Sequence, residues 1–278
     1  MCNLTRDSPR KNALALLAIC FLTLAGCDRR KNPVFIAVSD RGRVEARLET
    51  YVYAPADAGR RPVVILSHGS SGGSPKLTDD WASEAAYLTS KGFVVLAPMR
   101  RGRGRSSGVS LESEEKNCDL SSWDAGLQAA FRDLDAVIDY AQSLPFADAN
   151  RITLAGGSRG GFLSVAYAAE GRERARARSV INLVGGWVAQ AEDQCPADFN
   201  LVSFAKYGGE TRTPNLWIYG VGDRFNGDDA AKSYAAAFQD AGGNVQFHLL
   251  SGVDGHGLRA HPNSWRPLID AFLAADAR

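Results

Sequence analysis

The chain has 278 residues, 45% hydrophobic and 23% charged, and reads as an ordinary globular protein with one exceptional end. Lys and Arg number 32 against 31 Asp and Glu, and the formal net charge of +1 carries no electrostatic footprint for nucleic acid. About 250 residues beyond that end suffice for a single α/β domain with a large core.

The exceptional end is the N-terminus. A basic stretch closes at Lys11, and the apolar run 13–25 follows. It is too short and wrongly flanked for a spanning helix and has the form of a secretory signal. Leu24-Ala25-Gly26-Cys27 then resembles the bacterial lipobox. The resemblance implies removal of residues 1–26, acylation of Cys27, and a lipid-anchored protein of the bacterial cell envelope that faces the periplasm. More than one acyl chain makes such anchorage stable. A plain signal peptide cut elsewhere is the alternative. Asp28 resembles the inner-membrane retention signal of enterobacterial lipoproteins. The linker 28–33 reaches on the order of 20 Å when extended, which keeps the domain near a membrane surface. Cys2 and Cys20 leave with the signal, so Cys118 and Cys195 remain in an oxidising compartment and are expected to bond. Closing that loop contributes roughly 4 kcal/mol in the chain-entropy model.

From residue 34 to 278 strands and helices alternate as one domain. Segments 34–38 and 46–53 read as a leading antiparallel pair joined through Arg41-Gly42-Arg43, the second alternating apolar and polar as one exposed face requires. A strand is expected over 62–67, a helix over 79–91 capped by Gly92, and a strand over 93–97 stopped by Pro98. Residues 122–144 carry Trp123, Leu127, Ala130, Leu134, Val137, Ile138 and Ala141 at three- and four-residue steps, a helix ended by Pro145. Strands follow over 151–155, 179–184, 214–219 and 244–250. Helices are expected over 161–169, 228–241 and 262–275, with Asp228 and Asp229 as N-cap and first turn of the second. The charged run 171–178 reads as a solvated end. Segments 98–121 and 185–213 are longer excursions, expected to rim a pocket.

The most informative segment is Gly156-Gly157-Ser158-Arg159-Gly160, lying between a predicted buried strand and a small-residue helix. A G-x-S-x-G turn in that context is a nucleophile elbow, too tight for side chains beside a strained serine. A general base must come from four histidines. His68 precedes the serine and suits an oxyanion loop, His248 sits in a strand, and His261 abuts Pro262 at a helix start. His256, in a Gly-rich loop after a strand, is the expected base. Asp223 leaves the strand 214–219 directly and is the expected carboxylate, with Asp254 as the alternative; Asp228 and Asp229 fit the following helix. The order Ser158, Asp223, His256 is that of α/β-hydrolases.

On these motifs, from about Val44 to the C-terminus, the chain resembles α/β-hydrolases of the dienelactone-hydrolase-like group, which grades into prolyl-oligopeptidase-type enzymes. The resemblance implies an α/β fold with a mostly parallel sheet, helices on both faces, and a hydrolytic mechanism without metal or organic cofactor. It departs at the nucleophile: dienelactone hydrolases proper use cysteine, whereas this elbow carries Ser158. All three candidates follow strand C-termini, where open α/β sheets bind ligands.

Ser158 would then attack an acyl carbonyl, His256 would carry its proton, and Asp223 would orient the imidazole. The backbone N–H groups of Arg159 and Ser70 are the expected oxyanion donors. A small carboxylic ester is the expected substrate, a peptide bond the runner-up, and a catalytically silent ligand-binding lipoprotein the reading from another class. Arg100, Arg101, Arg103, Arg105, Arg159 and Arg224 either favour an anionic substrate or make internal ion pairs. Trp187, Phe199, Phe204, Tyr207 and Phe225 either line an apolar pocket or cover the sheet. Oligomeric state is not legible.

Overall fold

The computed structural model describes residues 33–57, 59–70, 81–110, 120–188 and 198–276. The leader, the lipidation site Cys27 and the expected pair Cys118 and Cys195 lie outside the described residues.

Strands β1 (Val34–Asp40) and β2 (Arg43–Tyr53) form the expected antiparallel pair, and β3 (Arg61–Ser67), β4 (Val94–Pro98), β5 (Ala147–Gly157), β6 (Ala177–Leu183), β7 (Asn215–Gly220) and β8 (Val245–Leu250) complete one sheet. Its order is β1-β2-β4-β3-β5-β6-β7-β8. β2 pairs antiparallel with β4, and every pair from β4 through β8 is parallel. β4 and β7 are buried along their whole length, as continuous apolar runs between helix layers must be.

Side chains alternate between the two faces of the sheet. Leu66, Ala155 and Ile181, in register across β3, β5 and β6, meet Trp81, Leu88, Trp265 and Ile269. This is the face covered by α1 (Ala82–Ser90) and α6 (Pro262–Asp276), which are joined by Tyr87 Oη donating to Asp270 at 2.6 Å. Gly92 ends the first of these as expected, with φ at 91° and its N–H bonded to Thr89 O at 3.0 Å. The other helices, α2 (Leu120–Ser143), α3 (Arg159–Glu170), α4 (Asp198–Glu210) and α5 (Asp228–Asp240), form a row in which each packs on the next.

Two expectations are corrected. The excursion 185–213 contains α4, whose Phe204 and Tyr207 are buried against Phe162 of α3 with ring centroids 5.0 and 5.8 Å apart. Trp187 and Phe199 join the same cluster at 5.8 and 6.0 Å from that ring, so these four aromatics cover the sheet. Gly208 near the end of α4 lies so close to the Phe238 backbone that a Cβ would collide with it, which explains a glycine inside a helix. The second correction concerns α5: its N-cap is Gly227, and Asp228 instead accepts the Gly222 N–H at 2.8 Å.

The chain runs from β3 outward to β4 and then back across to β5 on the other side of β3. Loops after β3 and β5 therefore diverge at adjacent strand ends, opening a crevice at the carboxyl edge of the sheet.

Candidate active site

Ser158 occupies the turn between β5 and α3 with φ 54° and ψ −126°, a region that non-glycine residues enter only when the surroundings impose it. Those surroundings are glycines at points of contact. A Cβ on Gly156 would strike the Gly160 and Ser67 carbonyls, one on Gly160 would strike Ser67 O, and one on Gly161 would strike Asn182 Oδ1. The start of α3 is thereby clamped onto the ends of β3 and β6. Ser158 N–H donates to Leu183 O at 2.9 Å, and its carbonyl accepts from Gly161 and Phe162 at 2.9 and 3.1 Å. A serine at an N-cap ordinarily spends its hydroxyl on the first-turn amides, but no such side-chain bond forms here. The half-buried hydroxyl stays available at the positive end of the helix dipole.

Asp223 and His256 are brought together. His256 Nδ1 lies 3.0 Å from both carboxylate oxygens of Asp223, whose side chain is 1% exposed against 23% for the imidazole. Nε2 is thus the ring nitrogen left for the crevice. Burial alone would push the Asp223 carboxyl up, but the His256 hydrogen bond and charge, the Phe225 N–H at 2.9 Å and the Asn226 amide hold it below the ordinary carboxylate range. Asp254 does not take this role: its N–H donates to His261 Nε2 at 3.1 Å, and its carboxylate sits beside Gly257. His261 caps the start of α6 through its carbonyl, bonded by Ser264 N–H at 3.0 Å.

Between Ser158 and this pair lies the end of β6. Gly186 N–H approaches Ser158 O at 3.4 Å, while Val184 O accepts from Asn226 Nδ2 at 3.0 Å and the same amide reaches Asp223 Oδ2 at 3.0 Å. Among the described residues no hydrogen bond joins Ser158 to His256, and catalytic hydrogen bonds are commonly long before substrate binds.

On the other flank, Gly69 lies against the serine, its Cβ position 3.2 Å from Ser158 Cβ and 3.8 Å from Oγ. His68 is fully buried and does not face the crevice as a base. Its Nε2 accepts the Arg100 N–H at 3.0 Å, which places the ring proton on Nδ1, 2.6 Å from Gly69 O.

Residues 48–271 match the family described as "Dienelactone hydrolase family". The chain belongs to that family. It is accordingly a hydrolase with the α/β-hydrolase fold. No curated protein sequence matches it. Among solved structures, the hydrolase is similar to Est1E from Butyrivibrio proteoclasticus with bound ferulic acid, at 18% identity and a TM-score of 0.63 over 87% of this chain and 99% of that one. It is similar to the esterase PF2001 of Pyrococcus furiosus at 15% identity and a TM-score of 0.64, covering 87% and 90% of the two chains. The Est2 esterase of Thermogutta terrifontis follows at 19% identity and a TM-score of 0.56, covering 88% and 92%. At these identities the likeness is one of fold.

The arginines of the hydrolase divide sharply. Arg100, Arg101 and Arg103 turn inward and are buried. Arg101 pairs with Asp133 at 2.8 Å and Glu45 at 3.2 Å, and Arg105 pairs with the fully buried Glu49 at 2.8 Å. Arg159 is held by Trp187, donating from Nε to its carbonyl at 2.9 Å. Only Arg224, of those weighed from the sequence, remains an exposed cation beside the site, its guanidinium 4.7 Å from the Phe225 ring, which packs 4.4 Å from the His256 ring. Asn226 was not singled out from the sequence, where it is one polar residue in a polar turn. Its two-sided amide bridge between Val184 and Asp223 exists only once β6 and β7 are neighbours.

Proposed function

We propose that this hydrolase cleaves carboxylic esters through an acyl-enzyme on Ser158, with His256 as general base and acid and Asp223 as its orienting carboxylate. One observation carries the reading: Nδ1 of His256 is committed to Asp223 at 3.0 Å, in a protein whose elbow serine is strained and free of capping bonds. Ser158 Oγ bonds to the ester carbon as its proton passes to His256 Nε2, and the carbonyl electron pair moves onto oxygen. Collapse of that adduct breaks the bond to the alcohol, which takes the proton from Nε2. Water then repeats the sequence on the acyl-enzyme and releases the acid. Backbone N–H groups of Arg159 and Ser70 hold the oxyanion, each contributing about 3 kcal/mol to barrier lowering.

Arg224 and Phe225 flank His256, the group that protonates the departing alcohol, so they favour leaving groups bearing a ring or an anionic group. Acylation of Cys27 would tether the enzyme to a membrane facing the periplasm, and a Cys118–Cys195 disulfide would brace it there; intact-mass measurement of membrane-extracted protein, with and without reductant, tests both. The catalytic reading is tested with a fluorophosphonate probe. A single adduct at Ser158, and loss of both adduct and ester turnover in Ser158→Ala with an unchanged melting temperature, are expected. Retained turnover in that variant rejects it.

A further inference from the structure

We propose that Arg100 is a positioning residue for the oxyanion site, acting on the peptide groups of the loop after β3 from behind. The inference rests on the serine-hydrolase reading above and adds to it the group that aims one of the donors.

Arg100 follows β4 by two residues, and β4 lies beside β3, so its side chain reaches the loop that leaves β3. The side chain is buried, and two nitrogens of its fork donate to carbonyl oxygens. Nη1 donates to His68 O, and Nη2 donates to Gly69 O at 3.1 Å. A second donor converges on the same Gly69 oxygen, His68 Nδ1 at 2.6 Å. The ring that supplies it is itself fixed by the backbone N–H of Arg100, bonded to Nε2 at 3.0 Å. One residue thus holds the loop three times: by its backbone through the His68 ring, and by its guanidinium through two successive carbonyls.

Peptide geometry turns that grip into an orientation. In a trans peptide the C=O of one residue and the N–H of the next lie in one plane and point in opposite directions. With Gly69 O held toward Arg100, the Ser70 N–H must point away from it, and with His68 O held likewise, so must the Gly69 N–H. Gly69 is the residue whose Cβ position lies 3.2 Å from Ser158 Cβ and 3.8 Å from Oγ, so the amides held in this way border the place where an ester carbonyl meets Oγ. A flip of the Gly69–Ser70 peptide would replace a donor with a carbonyl oxygen and repel the oxyanion. Arg100 opposes that flip with charge-assisted bonds, and its cation also polarises the peptide so that the Ser70 N–H donates more strongly. Lysine offers a point charge without the planar fork and cannot span both oxygens with the same geometry.

The test compares Arg100→Lys with Arg101→Lys. Arg101, next along the chain, is also buried but pairs with the carboxylates of Asp133 on α2 and Glu45 on β2 instead of the loop carbonyls. For Arg100→Lys, kcat on a neutral aryl ester is expected to fall about 10- to 100-fold with KM little changed, less than the roughly 10²- to 10³-fold that outright loss of one oxyanion donor costs, because the donor is misaimed rather than removed. Affinity for a trifluoromethyl ketone, whose hemiketal with Ser158 Oγ carries the charge on the former carbonyl oxygen, should fall by the same factor. Arg101→Lys should lower the melting temperature without that selective loss. In Arg100→Ala, added guanidinium is expected to restore part of kcat, a rescue that general loosening of the fold would not show. Wild-type kcat and ketone affinity in a folded Arg100→Lys overturn the proposal, as does a kcat loss that ketone affinity does not follow. If Ser158 takes no fluorophosphonate and Ser158→Ala stays active, the serine reading has failed instead, independently of any Arg100 result.

Discussion

The two flanks of Ser158 solve different problems with different chemistry. On one side, Asp223 and His256 form a titratable pair joined by two contacts of 3.0 Å, in which, on the proposed mechanism, the imidazole carries the proton and the carboxylate stabilises its charged form. On the other, the His68–Gly69–Ser70 loop presents backbone dipoles, with the buried Arg100 guanidinium bonded to the His68 and Gly69 carbonyls. A proton carrier needs a partner whose charge stabilises it in one state. An oxyanion donor needs only to be aimed and to stay aimed. The first flank should therefore respond to charge removal and to pH, and the second to geometry at constant charge.

The largest break in that comparison is Asp223→Asn. It keeps the shape but withdraws the negative charge and permits the wrong imidazole tautomer, so kcat should fall about 10⁴-fold in steady-state ester hydrolysis, with KM nearly unchanged. Asn226→Ala is the intermediate case. It removes a donor from buried Asp223 and leaves Val184 O short of a partner, so chemical denaturation should show a loss of about 2 kcal/mol, with kcat reduced about tenfold. An equal kcat in Asn226→Ala and the parent would show that the backbone bonds of Phe225 and Asn226 suffice to hold the carboxylate.

The smallest effect sharpens the contrast through pH. The folded-state Asp223 carboxyl lies below its ordinary value, so its contribution to stability is complete above the unfolded value near ~3.9 and is lost as pH falls through the folded one. Denaturation midpoints measured from pH 6 down to pH 2 should fall less steeply in Asp223→Asn than in the parent. Arg100→Lys should leave that slope as it is, because lysine keeps the positive charge that Asp133 feels from this position and leaves Asp223 untouched.

Much of this arrangement was legible before any coordinates. The elbow at Ser158, the strand ends before Asp223 and His256, and the choice of His256 over His68, His248 and His261 all follow from local pattern, and Asp223 does meet His256. Long periodic segments such as α2 and the wholly buried β4 and β7 were equally plain. By contrast, α4 was hidden, because its Phe199, Phe204 and Tyr207 are interrupted by the exposed Val202 and closed by Gly208-Gly209. The arginines of the 100–105 segment left both ion pairs and substrate contacts open, with ion pairs favoured, since a charge in a sequence does not say which way it faces.

The sequence by itself determined the fold class, the order of the catalytic candidates and the strained turn that bears Ser158. Each of these is read from local patterns along the chain: the alternation of strand and helix periods, the strand ends before each candidate, and the glycines around Ser158. Only the tertiary structure decided what Arg100, Asn226 and His68 do, because their partners belong to neighbouring strands distant in the chain or to peptide groups that any residue could supply. A carbonyl oxygen leaves no mark in a sequence, so a side chain whose task is to hold one becomes visible only when the strands are side by side.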